Sequence, residues 1–211
     1  TAQGMSVVLG LGANVQGDER NLLQVAIMGG LYARFLFGKS KPSIGLLNIG
    51  SEEQKGHEVL QLAADLIREK DQLPGEFRGF IEADDISAGT TDVVVTDGFT
   101  GNVALKTTEG VGRLISGMVR EAFQSGVFSR LGYLLALPAM NRLRQRLDPR
   151  AYNGGMFLGL GGICVKAHGG TDAIGFANAV GVSVELMAGD FQAQIAEAIA
   201  DNDDLFEFES E

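Results

Sequence analysis

Residues 92–110 read DVVVTDGFTGNVALKTTEG. Three consecutive valines after Asp92 suit a strand buried on both faces, as in the middle of a parallel sheet. The run closes on Thr-Asp-Gly, and a long helix is expected from about Thr100 to Gln124. In this strand–turn–helix unit, Gly98 and Gly101 let the backbone come close to a ligand. The first-turn amides of the helix form an anion site. Thr100 or Asn102 is placed to cap the helix, and Asn102 is alternatively a donor to a phosphate or carbonyl oxygen. Lys106 lies one turn further on the same face, either as a point charge for the ligand or in solvent. A lone Gly-rich turn does not separate these readings.

Outward from this segment the chain alternates short apolar runs with helical patterns. Strands are expected at 6–11, 44–50, 77–83, 92–98 and 161–169, and helices at 19–37, at about 56–70 and from Thr171 onward. That alternation predicts an α/β fold, a doubly wound and largely parallel sheet with helices on both faces. One α/β domain is expected over 1–200, with an amphipathic helical hairpin at about 111–150. Ligands of such sheets bind past the carboxyl ends of the strands. Four loops qualify: GANV (12–15), NIGSEEQKG (48–56), DGFTGN (97–102) and KAHGG (166–170). They supply the candidate substrate- or phosphate-binding residues Asn14, Asn48, Gly50, Asp97, Gly98, Thr100, Gly101 and Lys166. Lys55 is a phosphate or carbonyl contact or a solvated lysine, with Glu52 and Glu53 as helix-end charges or as groups orienting it. His168 shares one side of its strand end with Lys166, as general base, neutral donor or structural histidine.

The 211 residues include 30 glycines, about twice the usual share, at the ends of apolar runs and not in a low-complexity tract. The net charge of −10 argues against nucleic acid as a partner. Cys164 is the single cysteine, which allows no internal disulfide and suits a reducing compartment; inside an apolar strand it reads as packing. One cysteine and two distant histidines, His57 and His168, build no metal cluster of those ligands, and no metal or cofactor is expected. No GxSxG elbow, Walker lysine loop or GxGxxG fingerprint is present, and LGLGG (158–162) precedes a strand where a dinucleotide loop would follow one. Apolar Leu131, Leu134, Leu135, Leu137 and Met140 make a stripe that Pro138 is expected to break or kink; Arg142, Arg144 and Arg146 follow. Such a basic hairpin lies on an anionic membrane, pairs with a partner subunit, or is an ordinary core helix with a solvated face. The acidic end, 201–211, is expected to be a disordered tail.

The loops, in this order, resemble the PlsX family of bacterial phosphate acyltransferases. The matching runs are GANV (12–15), QVAIMG (24–29), GLLNIGSEEQKG (45–56), DVVVTDGFTGNVALKTTEG (92–110), YNGG (152–155) and VKAHG (165–169). The resemblance implies an architecture like isocitrate and isopropylmalate dehydrogenases and phosphotransacetylase. It implies a cytoplasmic homodimer held peripherally on the membrane, which moves a fatty acyl group from acyl carrier protein to inorganic phosphate for phospholipid synthesis. On that reading Lys55 and the DGFTGN amides hold phosphate, and Asn102 donates to the oxyanion or phosphate. Lys106 and His168 are second choices, and Asp97 fixes the loop or orients a lysine. The family begins with further residues bearing a second Gly-rich loop, so the chain is expected to be the later part of a longer enzyme. It usually has an aspartate where this chain has Gly10, a change expected to loosen that strand end. The rival readings are a phosphotransacetylase using a coenzyme A thioester and a non-catalytic, membrane-associated scaffold for acyl carrier protein.

Overall fold

A computed structural model describes residues 1–200, without the side chains of Pro149, Tyr152 and Ile199. The acidic stretch 201–211 lies outside the described residues. The described chain forms two compact units.

The first unit comprises Thr1–Ala104, Leu158–Ile163 and, of the described residues, 186–200. Its elements are β1 (Val7–Leu9), α1 (Glu19–Phe37), β2 (Ser43–Leu47), α2 (Glu58–Glu69), β3 (Glu76–Ile81), α3 (Ala83–Ala88) and β4 (Val93–Val95). The four strands form one parallel sheet in the order β1-β4-β2-β3. α1 has the bounds its sequence predicts. Asp18 caps it by accepting from the Asn21 amide at 2.7 Å, and left-handed Gly38 ends it. The helix lies against one face of the sheet through Gly29, where a Cβ would come 2.4 Å from Leu9 Cδ1 and 2.9 Å from Val93 Cγ1. On the other face Leu47, Ile81 and Val94 form a buried cluster with Val8 and with Ile86 of α3. Period-2 alternation thus splits the valine run: Val93 meets α1, and Val94 points to the opposite face. Helices therefore cover both faces, as expected.

Asp92 ties the sheet's entry edge together. Its carboxylate accepts from the Ser43 amide at 2.9 Å and the Ser43 hydroxyl at 3.0 Å, and pairs with Lys39 at 2.5 Å. Its own amide donates to Ser43 Oγ, and its carbonyl accepts from the Val7 amide at 2.8 Å.

The second unit comprises Leu105–Phe157 and Cys164–Glu185. It holds most of α4 (Gly98–Gln124), α5 (Val127–Arg146), a 3-10 turn (Pro149–Tyr152), β5 (Gly155–Phe157), β6 (Cys164–Lys166) and most of α6 (Ala173–Ala188). A last helix, α7 (Phe191–Ala200), belongs to the first unit, where Phe191 packs its ring on Tyr32 and Phe35.

Three expectations are corrected here. The strand at 161–169 does not extend the parallel sheet: β6 pairs antiparallel with β5 alone, Met156 opposite Val165. Cys164 is exposed, because in a two-stranded ladder only the face carrying Val165 is covered. Of the two expectations for Pro138, a break does not occur: α5 runs through it, and Arg144 donates to the Tyr133 hydroxyl at 2.8 Å across the proline.

Candidate active site

All four parallel strands end together. Leu9 pairs with Val95, Val95 with Leu46, and Leu47 with Ile81, so the loops after β1, β4 and β2 emerge side by side at one edge of the first unit.

Two of these loops interlock through bare backbone. Gly10 has φ +89°, and a Cβ there would sit 1.8 Å from the Thr96 carbonyl oxygen. Gly98 would place a Cβ 1.5 Å from the Asn14 carbonyl oxygen, and Gly101 would place one 2.2 Å from the Gly10 carbonyl oxygen. Gly10 is thus a tight contact against the Thr96 carbonyl. The helix cap is Asp97, whose Oδ1 accepts from the Thr100 amide at 2.8 Å, and not Thr100 or Asn102. The Phe99 amide donates to the Val15 carbonyl at 3.1 Å, and the Gly101 amide to the Asp97 carbonyl at 3.0 Å. Two of the first-turn amides offered to an anion, those of Phe99 and Thr100, are therefore engaged within the loops, and the Gly101 amide makes the first bond of the helix itself. Asn102 has an exposed side chain beside Gly12, 3.6 Å from where a Cβ on that glycine would lie. Asn14 meets Gly98 through its carbonyl, and its side chain is exposed.

Asn48 closes the third loop. Buried at the end of β2, it accepts from the Ile49 amide at 2.8 Å through Oδ1 and donates to the Lys55 carbonyl at 2.9 Å through Nδ2. Gly56, at φ +88°, passes so close that a Cβ would lie 2.2 Å from Asn48 Oδ1. Both ends of the Asn48 amide are thus spent on shaping the loop. Lys55 projects from it and pairs with Glu52 at 2.9 Å, directly over Gly50. The hydrogen bond with Glu52 raises Lys55 above the ordinary lysine value, with a further contribution from Glu82 at the end of β3. The same bond holds the Glu52 carboxyl below its ordinary value. Lys55 is therefore a full cation at neutral pH.

Lys106, Lys166 and His168 belong to the second unit. Lys106 donates to both oxygens of Glu109, at 3.3 and 3.0 Å, and Arg113 approaches that carboxylate at 3.8 Å. The Lys106 hydrogen bond pulls Glu109 below its usual pKa, aided by Arg113 and by the nearby His168. The His168 Nδ1 accepts from the Gly170 amide at 3.2 Å, which leaves Nε2 as the outward nitrogen. The loop carrying His168 is organised by buried Asn153. It accepts from the His168 amide at 2.9 Å and donates to Thr171 Oγ1 and the Gly175 carbonyl. Lys166 is exposed on β6. On α5, Leu131, Leu134 and Leu135 are 52%, 60% and 86% exposed, whereas Leu137 and Met140 are half-buried. Among the described residues no helix is long and apolar enough to cross a membrane.

The profile of a family described as "Fatty acid synthesis protein" matches residues 1–194. The chain belongs to this family. Phosphate acyltransferases similar to it include that of Rhodospirillum centenum, 52% identical over 95% of this chain and 56% of its own length. Those of Paramagnetospirillum magneticum and Acidiphilium cryptum are 54% and 55% identical over 92% of this chain, and 55% and 51% of their own lengths. The chain thus spans about half the length of these family members. The solved EutD phosphotransacetylase from Staphylococcus aureus aligns with 48% of this chain and 37% of its own at TM-score 0.39 and 18% identity, too distant to carry an argument.

Several residues beside the candidates escape sequence reasoning. Asn153 was visible only as part of YNGG, and its partners lie 15 to 22 residues away. Glu109 looks like any surface acid until Lys106 is seen to bridge its two oxygens. Val15, Ile49 and Phe99 are 71%, 79% and 65% exposed, one on each of the three edge loops. The available signal was a large apolar residue inside a Gly-rich polar loop, where no core requires it.

Proposed function

We propose that the protein transfers a fatty acyl group from acyl carrier protein to inorganic phosphate, giving acyl phosphate for phospholipid synthesis. The supporting observation is identity above 50% to phosphate acyltransferases over 92–95% of this chain. In the reaction a phosphate oxygen attacks the thioester carbonyl, the carbon–sulfur bond breaks, and the phosphate proton ends on the carrier thiolate. Phosphate is already an anion at neutral pH, so the work is positioning and oxyanion stabilisation, not strong base catalysis. Lys55 supplies the cation for phosphate. Asn102, at the same sheet edge, donates its side-chain amide to phosphate or to the developing oxyanion. Asp97 holds the turn from which Asn102 projects, and Asn48 holds the loop of Lys55. Lys106, Lys166 and His168 are the secondary candidates.

The apolar Val15, Ile49 and Phe99 favour an acyl substrate over a small polar one. Arg130, Arg142, Arg144 and Arg146 suit an acidic carrier or an anionic membrane surface, and exposed Leu131, Leu134 and Leu135 suit peripheral insertion. The apolar side chains left exposed on α6, among them Phe176, Val180 and Met187, suit a homodimer, and a cytoplasmic setting fits the lone cysteine. The test is turnover of Lys55→Ala and Asn102→Ala in the protein at the full length of its relatives. Each is expected to lose about 100-fold or more, the scale of a lost oxyanion donor. Near-normal turnover in both refutes the site assignment.

A further inference from the structure

We propose that Glu52 is a resident counter-anion of the phosphate site, which pairs with Lys55 in the unloaded protein and which inorganic phosphate displaces. The proposal rests on the assignment of Lys55 to phosphate. The loop leaves Lys55 little freedom at its backbone: its carbonyl accepts from Asn48 Nδ2, and its amide donates to the Glu52 carbonyl at 3.1 Å. What remains variable is where the ammonium goes, and Glu52 answers that at 2.9 Å.

The ion pair is solvent-exposed but has a fixed place in the loop. It lies on Gly50, where a Cβ would come 2.4 Å from Lys55 Cδ, 2.9 Å from Lys55 Nζ and 2.7 Å from Glu52 Oε2. Gly50 stands at the carboxyl edge of the sheet, the side on which such sheets receive ligands. Glu52 thus puts a carboxylate oxygen where an anion held by Lys55 would put one of its own. Carboxylate and phosphate offer an ammonium the same charge-assisted hydrogen bond. The pair is exchangeable, because the two side chains are 48% and 57% exposed, and exposed pairs are weak. Gly50 has the complementary part: lacking a side chain, it leaves room for either anion beside Lys55.

Two roles for Glu52 predict opposite signs. A carboxylate that merely oriented Lys55 would help phosphate bind, and its removal would raise the phosphate KM. A resident competitor hinders binding, and its removal lowers that KM. The experiment measures KM for inorganic phosphate in acyl transfer, with the protein at its relatives' full length and its Glu52→Gln and Lys55→Ala variants. Glu52→Gln is expected to lower the phosphate KM by about 2- to 5-fold, the range an exposed ion pair allows. An unchanged or raised KM in Glu52→Gln, with Lys55→Ala strongly impaired, overturns the proposal and leaves the phosphate site standing. Near-normal kinetics in Lys55→Ala overturns both.

Discussion

Gly98→Ala tests the interlocked loops directly. An alanine Cβ would lie 1.5 Å from the Asn14 carbonyl oxygen and 2.7 Å from its carbon. To reach an ordinary contact near 3.5 Å, the Asn14 peptide must retreat by about 2 Å. Phe99 donates to the next carbonyl, that of Val15, at 3.1 Å, so the retreat breaks that bond as well. Overpacking of this kind costs about 1–3 kcal/mol and the lost hydrogen bond about 1 kcal/mol. The sum, roughly 2–4 kcal/mol, is a large part of an ordinary domain's stability. Gly112→Ala is the internal control. It lies in the same helix with nothing within 4 Å of the added methyl, and alanine there is expected to stabilise by about 0.5–1 kcal/mol. Urea unfolding of this chain followed by circular dichroism reads both. A Gly98→Ala midpoint equal to that of the parent would refute the claimed backbone contact, since helix propensity alone favours alanine.

Two further perturbations probe other parts of the account. Burial pushes the Asp92 carboxyl up, but hydrogen bonds from Lys39 and Ser43 outweigh it and hold it below the ordinary aspartate value. A depressed folded-state value stabilises above the unfolded pKa of about 3.9 and is lost as pH falls through the folded one. Asp92→Asn should therefore cost about 1–2 kcal/mol at pH 7, a difference that shrinks to nothing in unfolding titrations taken well below pH 4. Leu134→Glu, on the exposed face of α5, should weaken flotation with anionic vesicles by about tenfold, the loss expected for one buried leucine. Unaltered flotation would remove α5 from the membrane reading.

Much of the fold is legible because its signals are local. α1 carries its start and stop, Asp18 and Gly38, beside an apolar stripe. The valine run at 93–95 and its glycine-ended neighbours declare strands whatever they pair with. Pairing itself is not local. The apolar run at 163–165 looks like the others, and β5 is a three-residue strand opening on glycine, so nothing nearby announces an antiparallel ladder. The cap of α4 differs from the expected one because the helix opens two residues before Thr100: with its start at Gly98, Asp97 stands three residues before Thr100, the ordinary spacing of a side-chain cap. Lys55 and Asn102 stand out in sequence as polar groups in Gly-rich turns. The amides that Asp97 and Val15 already engage do not, because a backbone donor's partner depends on how two loops meet.

The most direct test is phosphate-dependent acyl phosphate formation, trapped by hydroxylamine as the acyl hydroxamate, from acyl carrier protein thioester and the protein at its relatives' full length. The account predicts hydroxamate that requires both phosphate and thioester and that falls at least 100-fold with Lys55→Ala, the scale of a lost electrostatic contact in the transition state. Hydroxamate formation indifferent to phosphate, or unaffected by Lys55→Ala, would contradict it.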